Sequence, residues 1–201
     1  MALTVAQPQI ERDPHLVSRI SLVGLPGSGK STVGRQLARR LSLPFVDSDP
    51  VIEQRIGCSI REYFEREGEE RFRDIEEAVL DHLTQSHRGV LSTGGGSALR
   101  AVNRQRLRAR SHVIYLRSSP EELFRRLRRD VNRPLLQVSD PFGRLRDLYT
   151  ARDPLYREVA HFVVETGRPS VAALVGSLLA HLEQAGVLPN STGPSGLPDS
   201  G

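Results

Sequence analysis

The sequence predicts an α/β fold in which one parallel sheet is covered by helices on both faces. Three observations carry that prediction. Short apolar runs alternate with segments of helical periodicity, the pattern a parallel sheet needs for its crossover connections. Several runs end in glycine-rich or acidic turns, as strands of such sheets do on the edge that binds ligands. The 201 residues suffice for one domain with a full core, and 38% hydrophobic with 26% charged residues is the balance of a soluble globular protein.

Ile20, Leu22 and Val23 form a short apolar run that reads as a buried strand. Val33, Leu37, Ala38 and Leu41 then recur at helical spacing, so the intervening Gly24 to Ser31 joins a strand to a helix. Phe45-Val46 is a second strand leading into Asp47. Ser59 and Glu62 form a capping-box pattern that starts a helix. In the longer helix after it, Phe72, Ile75, Val79, Leu80 and Leu83 mark the apolar face. Val90-Leu91-Ser92 is a third strand, leading into Gly94-Gly95-Gly96, and His112 to Leu116 is a fourth. Ser119-Pro120-Glu121-Glu122 opens a helix, with proline at the first helical position and acids in the first turn. Phe162-Val163-Val164 is the fifth strand, and Val171, Leu174, Val175, Leu178 and Leu182 define a final helix. The domain is expected over residues 18–186, after a loose leader at 1–17 and before a tail at 187–201 with the composition of disorder.

Composition excludes several classes. No apolar run approaches the ~20 residues that span a bilayer, so no membrane association is expected. The first residues have neither a basic region nor a sustained apolar core, which argues against a signal peptide and for a cytoplasmic protein. A single cysteine, Cys58, allows no internal disulfide and no cysteine metal cluster. The net charge of +4 comes from arginine, because Lys30 is the one lysine in the chain. No basic stripe with interleaved aromatics accompanies it and tryptophan is absent, so a small anionic ligand is expected rather than nucleic acid.

Gly24-Leu25-Pro26-Gly27-Ser28-Gly29-Lys30-Ser31 fits G-x-x-x-x-G-K-[ST], the loop that wraps nucleotide phosphates. Its glycines let backbone N–H groups turn inward around anionic oxygens, and the helix N-terminus adds partial positive charge. Gly27, Ser28, Gly29, Lys30, Ser31 and Thr32 are the expected nucleotide contacts. Lys30 is expected on the β- and γ-phosphates and Ser31 on Mg²⁺. Asp47-Ser48-Asp49 sets two carboxylates at the end of the second strand, one suited to Mg²⁺ and one to a substrate hydroxyl proton; alone it also reads as a polar turn capping a helix. Arg73 alone reads as a surface arginine paired with Glu76. Gly94 to Gly96 allow close backbone approach to a ligand or make a flexible loop. Asn132-Arg133-Pro134-Leu135-Leu136, near Arg126, Arg128 and Arg129, reads as a lid over about 126–141 or as a solvated basic helix end. Arg152, in Ala151-Arg152-Asp153-Pro154-Leu155-Tyr156, is expected at a helix break.

Taken together and in this order, these motifs resemble the shikimate kinase family. The phosphate loop, D-[ST]-D at Asp47 to Asp49, F-R-x-x-E at Phe72 to Glu76, the Gly94 to Gly96 triplet, R-P-L-L at Arg133 to Leu136 and R-x-P-L-Y at Arg152 to Tyr156 carry the resemblance, which runs from about Ser18 to Leu182. It implies a three-layer P-loop kinase fold of the nucleoside monophosphate kinase type, with a five-stranded parallel sheet and a mobile lid. It implies transfer of the ATP γ-phosphate to the 3-hydroxyl of shikimate, in the biosynthesis of chorismate and aromatic amino acids. By the same resemblance Asp49 is the general base and holds shikimate hydroxyls, Arg73 and Arg152 bind the substrate carboxylate, and the Gly95 backbone touches substrate within the Gly94 to Gly96 loop. Ser31 and Asp47 hold one Mg²⁺, which arrives with ATP. Lys30 and Arg133 stabilise the phosphoryl charge, and Arg126 and Arg168 lie at adenine. The Thr166-Gly167-Arg168-Pro169 loop looks shortened relative to the family, and leader and tail have no counterpart there. The expected partners are ATP and shikimate, with the protein a monomer. The rivals are another small-molecule kinase, such as one for gluconate or a nucleotide, and a ligand-sensing module, which has too few residues upstream for a DNA-binding domain.

Overall fold

In the computed structural model, described here over residues 19–127, 139–167 and 169–188, five strands form one parallel sheet in the order β2-β3-β1-β4-β5. The strands are β1 (Arg19–Val23), β2 (Phe45–Asp47), β3 (Gly89–Ser92), β4 (His112–Arg117) and β5 (Phe162–Glu165). Each sequence-predicted strand is present, and the alternation of side chains along them builds two cores. Ile20 and Leu22 of β1 join Ile114 and Leu116 of β4 on one face. Val23 of β1 joins Val113 and Tyr115 of β4 on the other. Period-two alternation thus feeds both faces of a buried sheet.

Helices α1 (Lys30–Leu41) and α8 (Val171–Gln184) cover the first face through Val33, Leu37, Leu174, Val175 and Leu178. The second face carries α2 (Ser48–Ile56), α3 (Ile60–Glu67), α4 (Glu69–Ser86), α5 (Ala101–Arg110), α6 (Pro120–Leu127) and α7 (Pro141–Val159). Caps fix where these helices begin. The Glu62 N–H donates to Ser59 Oγ at 3.2 Å at the start of α3. At α6 a full capping box closes: the Glu122 N–H donates to Ser119 Oγ and the Ser119 N–H donates to Glu122 Oε2. No helix among the described residues is long and apolar enough to cross a membrane.

Two expectations are corrected. The helix break at Arg152 does not occur, because α7 runs through Pro154 to Val159. Proline there deletes one helical hydrogen bond, to the Thr150 carbonyl, and its exposed ring sits on the outer side of the helix while Leu148, Tyr156 and Val159 anchor the inner side. The folded body also reaches past residue 186. Val187 and Leu188 of the expected tail pack on the first core, and their N–H groups donate to the Leu182 carbonyl. Of the expected lid, Arg126 and Leu127 end α6 and Pro141 opens α7, while residues 128–138 lie outside the described residues, as do 1–18 and 189–201.

Gly34 in α1 faces the sheet where a Cβ would meet Phe45 Cε2 at 2.7 Å and Leu22 Cδ1 at 3.1 Å. Gly34→Ala is therefore expected to cost about 1–3 kcal/mol by overpacking, despite alanine's better helix propensity. Urea unfolding checks this; a stabilised variant would show that α1 can shift outward freely.

Candidate active site

The strand order β2-β3-β1 brings three loops together at the carboxyl edge of the sheet: the Asp47–Asp49 turn, the Thr93–Gly96 loop and the phosphate loop. They enclose a cleft of about 440 Å³ lined by Lys30, Ser31, Asp47, Asp49, Ser92 and Gly95 among others. The phosphate loop has the conformation its sequence requires. Gly29, the residue before α1, adopts φ 94°, a left-handed geometry that side chains disfavour. Lys30 curls back so that its Nζ donates to the Gly24 and Leu25 carbonyls at 2.8 and 2.9 Å. Ser28 Oγ is buried with no hydrogen-bond partner among the described residues, an orphan donor inside an anion cradle.

Asp47 and Ser31 meet directly, Ser31 Oγ donating to Asp47 Oδ2 at 2.5 Å, with Ser92 Oγ 3.4 Å from Ser31 Oγ. Asp47 Oδ1 also accepts the Asp49 N–H and so caps α2, as the capping reading of this turn expects, while both carboxylates line the cleft. Between the two carboxylates, Ser48 is wholly buried and its Oγ accepts the Gly94 N–H at 3.0 Å, tying the acidic turn to the glycine loop. Asp49 is the most perturbed carboxyl of the cleft. Burial, then the neighbouring charge of Asp47, raises its pKa to about 6, against the attraction of Lys30.

On the other side of Asp49, Arg73 of α4 and Arg152 of α7 converge on the glycine triplet. Arg73 Nη1 donates to Glu76 Oε2 at 2.6 Å, and the pair is not on the surface: the side chains are 11% and 3% exposed. Burial holds the Glu76 carboxyl above the ordinary range even beside Arg73. Arg152 Nη1 donates to the Gly95 carbonyl at 3.0 Å, and Tyr156, one turn later, donates its hydroxyl to the same oxygen. The triplet is glycine because its neighbours leave no room. A Cβ at Gly94 would lie 2.7 Å from Asp49 Oδ1, and one at Gly96 would lie 1.9 Å from Arg73 Nη1.

A second cavity of about 240 Å³ adjoins the phosphate loop, lined by Thr32, Val33, Arg126, Thr166, Pro169 and Leu174 among others. Arg126 borders both cavities and is anchored by donation from Nη2 to the Thr166 carbonyl at 2.5 Å. The structure thus brings together Gly27, Ser28, Gly29, Lys30, Ser31, Thr32, Asp47, Asp49 and Arg126 around the two cavities, and Arg73, Gly94, Gly95, Gly96 and Arg152 beside them. Arg133 and Arg168 lie outside the described residues. Sequence reasoning gave no role to Ser92 and Tyr156, and read Glu76 only as a surface partner of Arg73 and Thr166 only as part of the loop around Arg168. Helical spacing was the available signal for two of them: Glu76 is three residues after Arg73 and Tyr156 four after Arg152, so each shares a face with its arginine.

A nucleotide loop, a half-buried carboxylate of raised pKa and two arginines converging on the glycine loop define a P-loop kinase for a small anionic acceptor. Comparison with known proteins specifies which. A shikimate kinase family model matches residues 26–183. The shikimate kinase of Paracidovorax citrulli is 60% identical over 183 residues, 90% of this chain and 99% of the relative. That of Ralstonia nicotianae is 56% identical over 172 residues, 86% of this chain and 90% of the relative. Among solved structures, shikimate kinase from Acinetobacter baumannii in complex with shikimate superposes with TM-score 0.80 at 46% identity, covering 85% of this chain and 96% of that one. A gluconokinase from Sinorhizobium meliloti, TM-score 0.52 at 18% identity over 85% of this chain and 94% of its own, shares the fold alone. The chain belongs to the shikimate kinase family, and its activity is ATP-dependent phosphorylation of shikimate.

The raised pKa of Asp49 has a stability consequence. Between the ordinary value of 3.8 and about 6, the folded state keeps a proton that the unfolded chain has lost. Stability therefore falls as pH rises through that window, and the cost is complete above it. Asp49→Asn carries no such cost and is expected to be more stable than the parent at about pH 7.5, on the order of 1 kcal/mol, with the gain gone by about pH 4. Urea melts of the ligand-free enzyme at the two pH values check this; equal stability at the higher pH would contradict the buried-carboxyl reading.

Proposed function

We propose that the cleft moves the γ-phosphate of ATP directly to the 3-hydroxyl of shikimate in one in-line step, with Asp49 receiving the hydroxyl proton. The observation that carries this is the Asp49 carboxyl itself. It is desolvated, titrates near 6, and lies between the phosphate loop and the glycine loop on which Arg152 and Arg73 converge. A base whose pKa lies near the working pH is largely unprotonated yet basic enough to accept a proton in the transition state.

The remaining roles follow from charge and geometry. Arg73 and Arg152 take the acceptor carboxylate, for which planar guanidinium groups offer paired donors. Binding there points a ring hydroxyl at Asp49. Lys30 and Arg133 stabilise charge on the transferring group, and Gly27, Ser28, Gly29 and Thr32 cradle the phosphates, with Arg126 and Arg168 toward the base. The oxygen of the 3-hydroxyl bonds to phosphorus, its proton goes to Asp49, and the bond to the ADP oxygen breaks.

The donors also fit Mg²⁺, a hard cation bound by oxygen. Ser31 and Asp47 are 2.5 Å apart with Ser92 adjacent, and among the described residues no trio of His, Cys, Asp or Glu supplies a complete shell, so phosphate and water oxygens must complete it. Mg²⁺ bound by Ser31 and, through water, Asp47 would neutralise phosphate charge. The enzyme is proposed to act as a monomer, and one cysteine in 201 residues suits a cytoplasmic setting.

The test is a coupled ADP-release assay with ATP and Mg²⁺, run with shikimate, with gluconate and without acceptor. Shikimate-dependent release is expected; release with gluconate instead would overturn the acceptor. In the same assay Asp49→Asn is expected to lower kcat at least about 100-fold while nucleotide binding persists. A nearly unchanged kcat would remove Asp49 as the base. Arg73→Ala is expected to raise the shikimate KM about tenfold or more with the ATP KM within about twofold, since it deletes a charge-assisted contact to the acceptor alone. Equal loss for both substrates would refute that role.

A further inference from the structure

Asp153 occupies the position that the R-x-P-L-Y pattern leaves open, and nothing in the proposed chemistry uses it. Its carboxylate nevertheless accepts three side-chain hydrogen bonds. Asp153 Oδ1 accepts from the Tyr115 hydroxyl at 3.0 Å and from Arg117 Nε at 3.1 Å, and Oδ2 accepts from Arg157 Nε at 2.7 Å. Its side chain is 14% exposed. Tyr115 and Arg117 belong to β4, which pairs with β1, the strand that feeds the phosphate loop. Arg117 reaches α7 a second time one turn earlier, where Nη2 donates to the Tyr149 hydroxyl, and it reaches β5 through Glu165 at 2.6 Å.

The neighbouring residues explain why such an anchor is needed. Pro154 removes the helical N–H that would bond to the Thr150 carbonyl, so α7 lacks one backbone hydrogen bond in the turn from which Arg152 leaves it. Arg152 and Tyr156 face the glycine loop, while Asp153 and Arg157, each one residue on, share the adjacent face. Tyr115 also packs its ring against Tyr156, with centroids 5.0 Å apart. The sheet therefore holds the softened turn by a carboxylate immediately beside the arginine that reaches Gly95.

We propose that Asp153 is a positioning residue for the acceptor: by fastening the Pro154 turn of α7 to β4, it fixes Arg152 at the distance from the phosphate loop that the acceptor carboxylate requires. This rests on the assignment of Arg152 to that carboxylate, and the test separates the two. Asp153→Ala, Arg152→Ala and the double variant are assayed for shikimate KM, ATP KM and kcat, with melting temperatures alongside. Asp153→Ala is expected to raise the shikimate KM about tenfold, with the ATP KM within about twofold, because displacement of a binding group by a fraction of an ångström is enough for such a loss. The double variant is expected to match Arg152→Ala in shikimate KM, since both changes remove one interaction.

Asp153→Asn keeps an oxygen acceptor for Tyr115 and Arg117 and is expected to recover most of the loss. Arg157→Gln removes only the exposed partner and is expected to leave the shikimate KM unchanged. If Arg152→Ala raises the shikimate KM and neither Asp153 variant does, the proposal is overturned while the carboxylate assignment stands. Additive losses in the double variant also overturn it, because Asp153 then acts by another route. If Arg152→Ala itself leaves the shikimate KM unchanged, the carboxylate assignment fails, and the proposal with it. A fall in melting temperature with both KM values unchanged makes Asp153 a purely structural residue.

Discussion

Lys30, Asp47, Asp49, Glu76 and Arg73 put five ionisable groups into or beside one cleft partly closed to water, and their mutual attraction has to offset their desolvation. Lys30 is 8% exposed and Glu76 2% exposed. Ions in such surroundings are tolerated only when hydrogen-bonded or paired, and removing one partner strands the other. Lys30 meets this demand through the Gly24 and Leu25 carbonyls, Arg73 and Glu76 through each other. At Asp49 burial and then the like charge of Asp47 outweigh the attraction of Lys30 and push its proton affinity up. The enclosure that disfavours the Asp49 anion is also what suits its carboxyl to accept a proton.

The same constraint shapes the surrounding architecture. The acceptor side is assembled from α4 and α7, whose active ends meet electrostatically through Glu76 and Arg152, and α5 with the residue before it fastens both helices further along. Arg100, the residue before α5, pairs with Asp74 at 2.7 Å and Glu77 at 2.9 Å on α4. Arg104 pairs with Glu158 at the end of α7, and Arg108 Nη1 donates to the carbonyls of Glu158, Val159 and Ala160, capping that helix. Exposed ion pairs contribute little singly, so the capping of α7 carbonyls by Arg108 is the more substantial tie. The arginines in and just before α5 are thus engaged by acidic neighbours and by the end of α7.

Most of the fold was legible because its signals were local. Strand runs, the Ser59 and Ser119 caps and the apolar face of α4 each depend on residues a few positions apart, and all five strands fell where they were expected. The break expected at Arg152 failed for a physical reason. Proline's penalty is local, whereas the burial of Leu148, Tyr156 and Val159 that carries α7 through it is tertiary. In the site, motif residues were visible by type and order, yet their supports were not. Ser48 bonds Gly94 across 46 positions and Tyr156 bonds Gly95 across 61, separations at which no periodicity survives. Asp49's altered proton affinity likewise belongs to the enclosure and has no signature in Asp47-Ser48-Asp49 alone.

The central claim, that enclosure turns Asp49 into a base poised near neutrality, is tested most directly by titrating its carboxyl carbon. The ligand-free enzyme labelled with ¹³C at aspartate carboxyls would be followed by NMR across the acid range, with the resonance assigned by its loss in Asp49→Asn. A midpoint at about 6 is the predicted result. A midpoint at the ordinary value of 3.8 would contradict it, showing that water reaches Asp49 freely and that its proton affinity is that of any exposed aspartate.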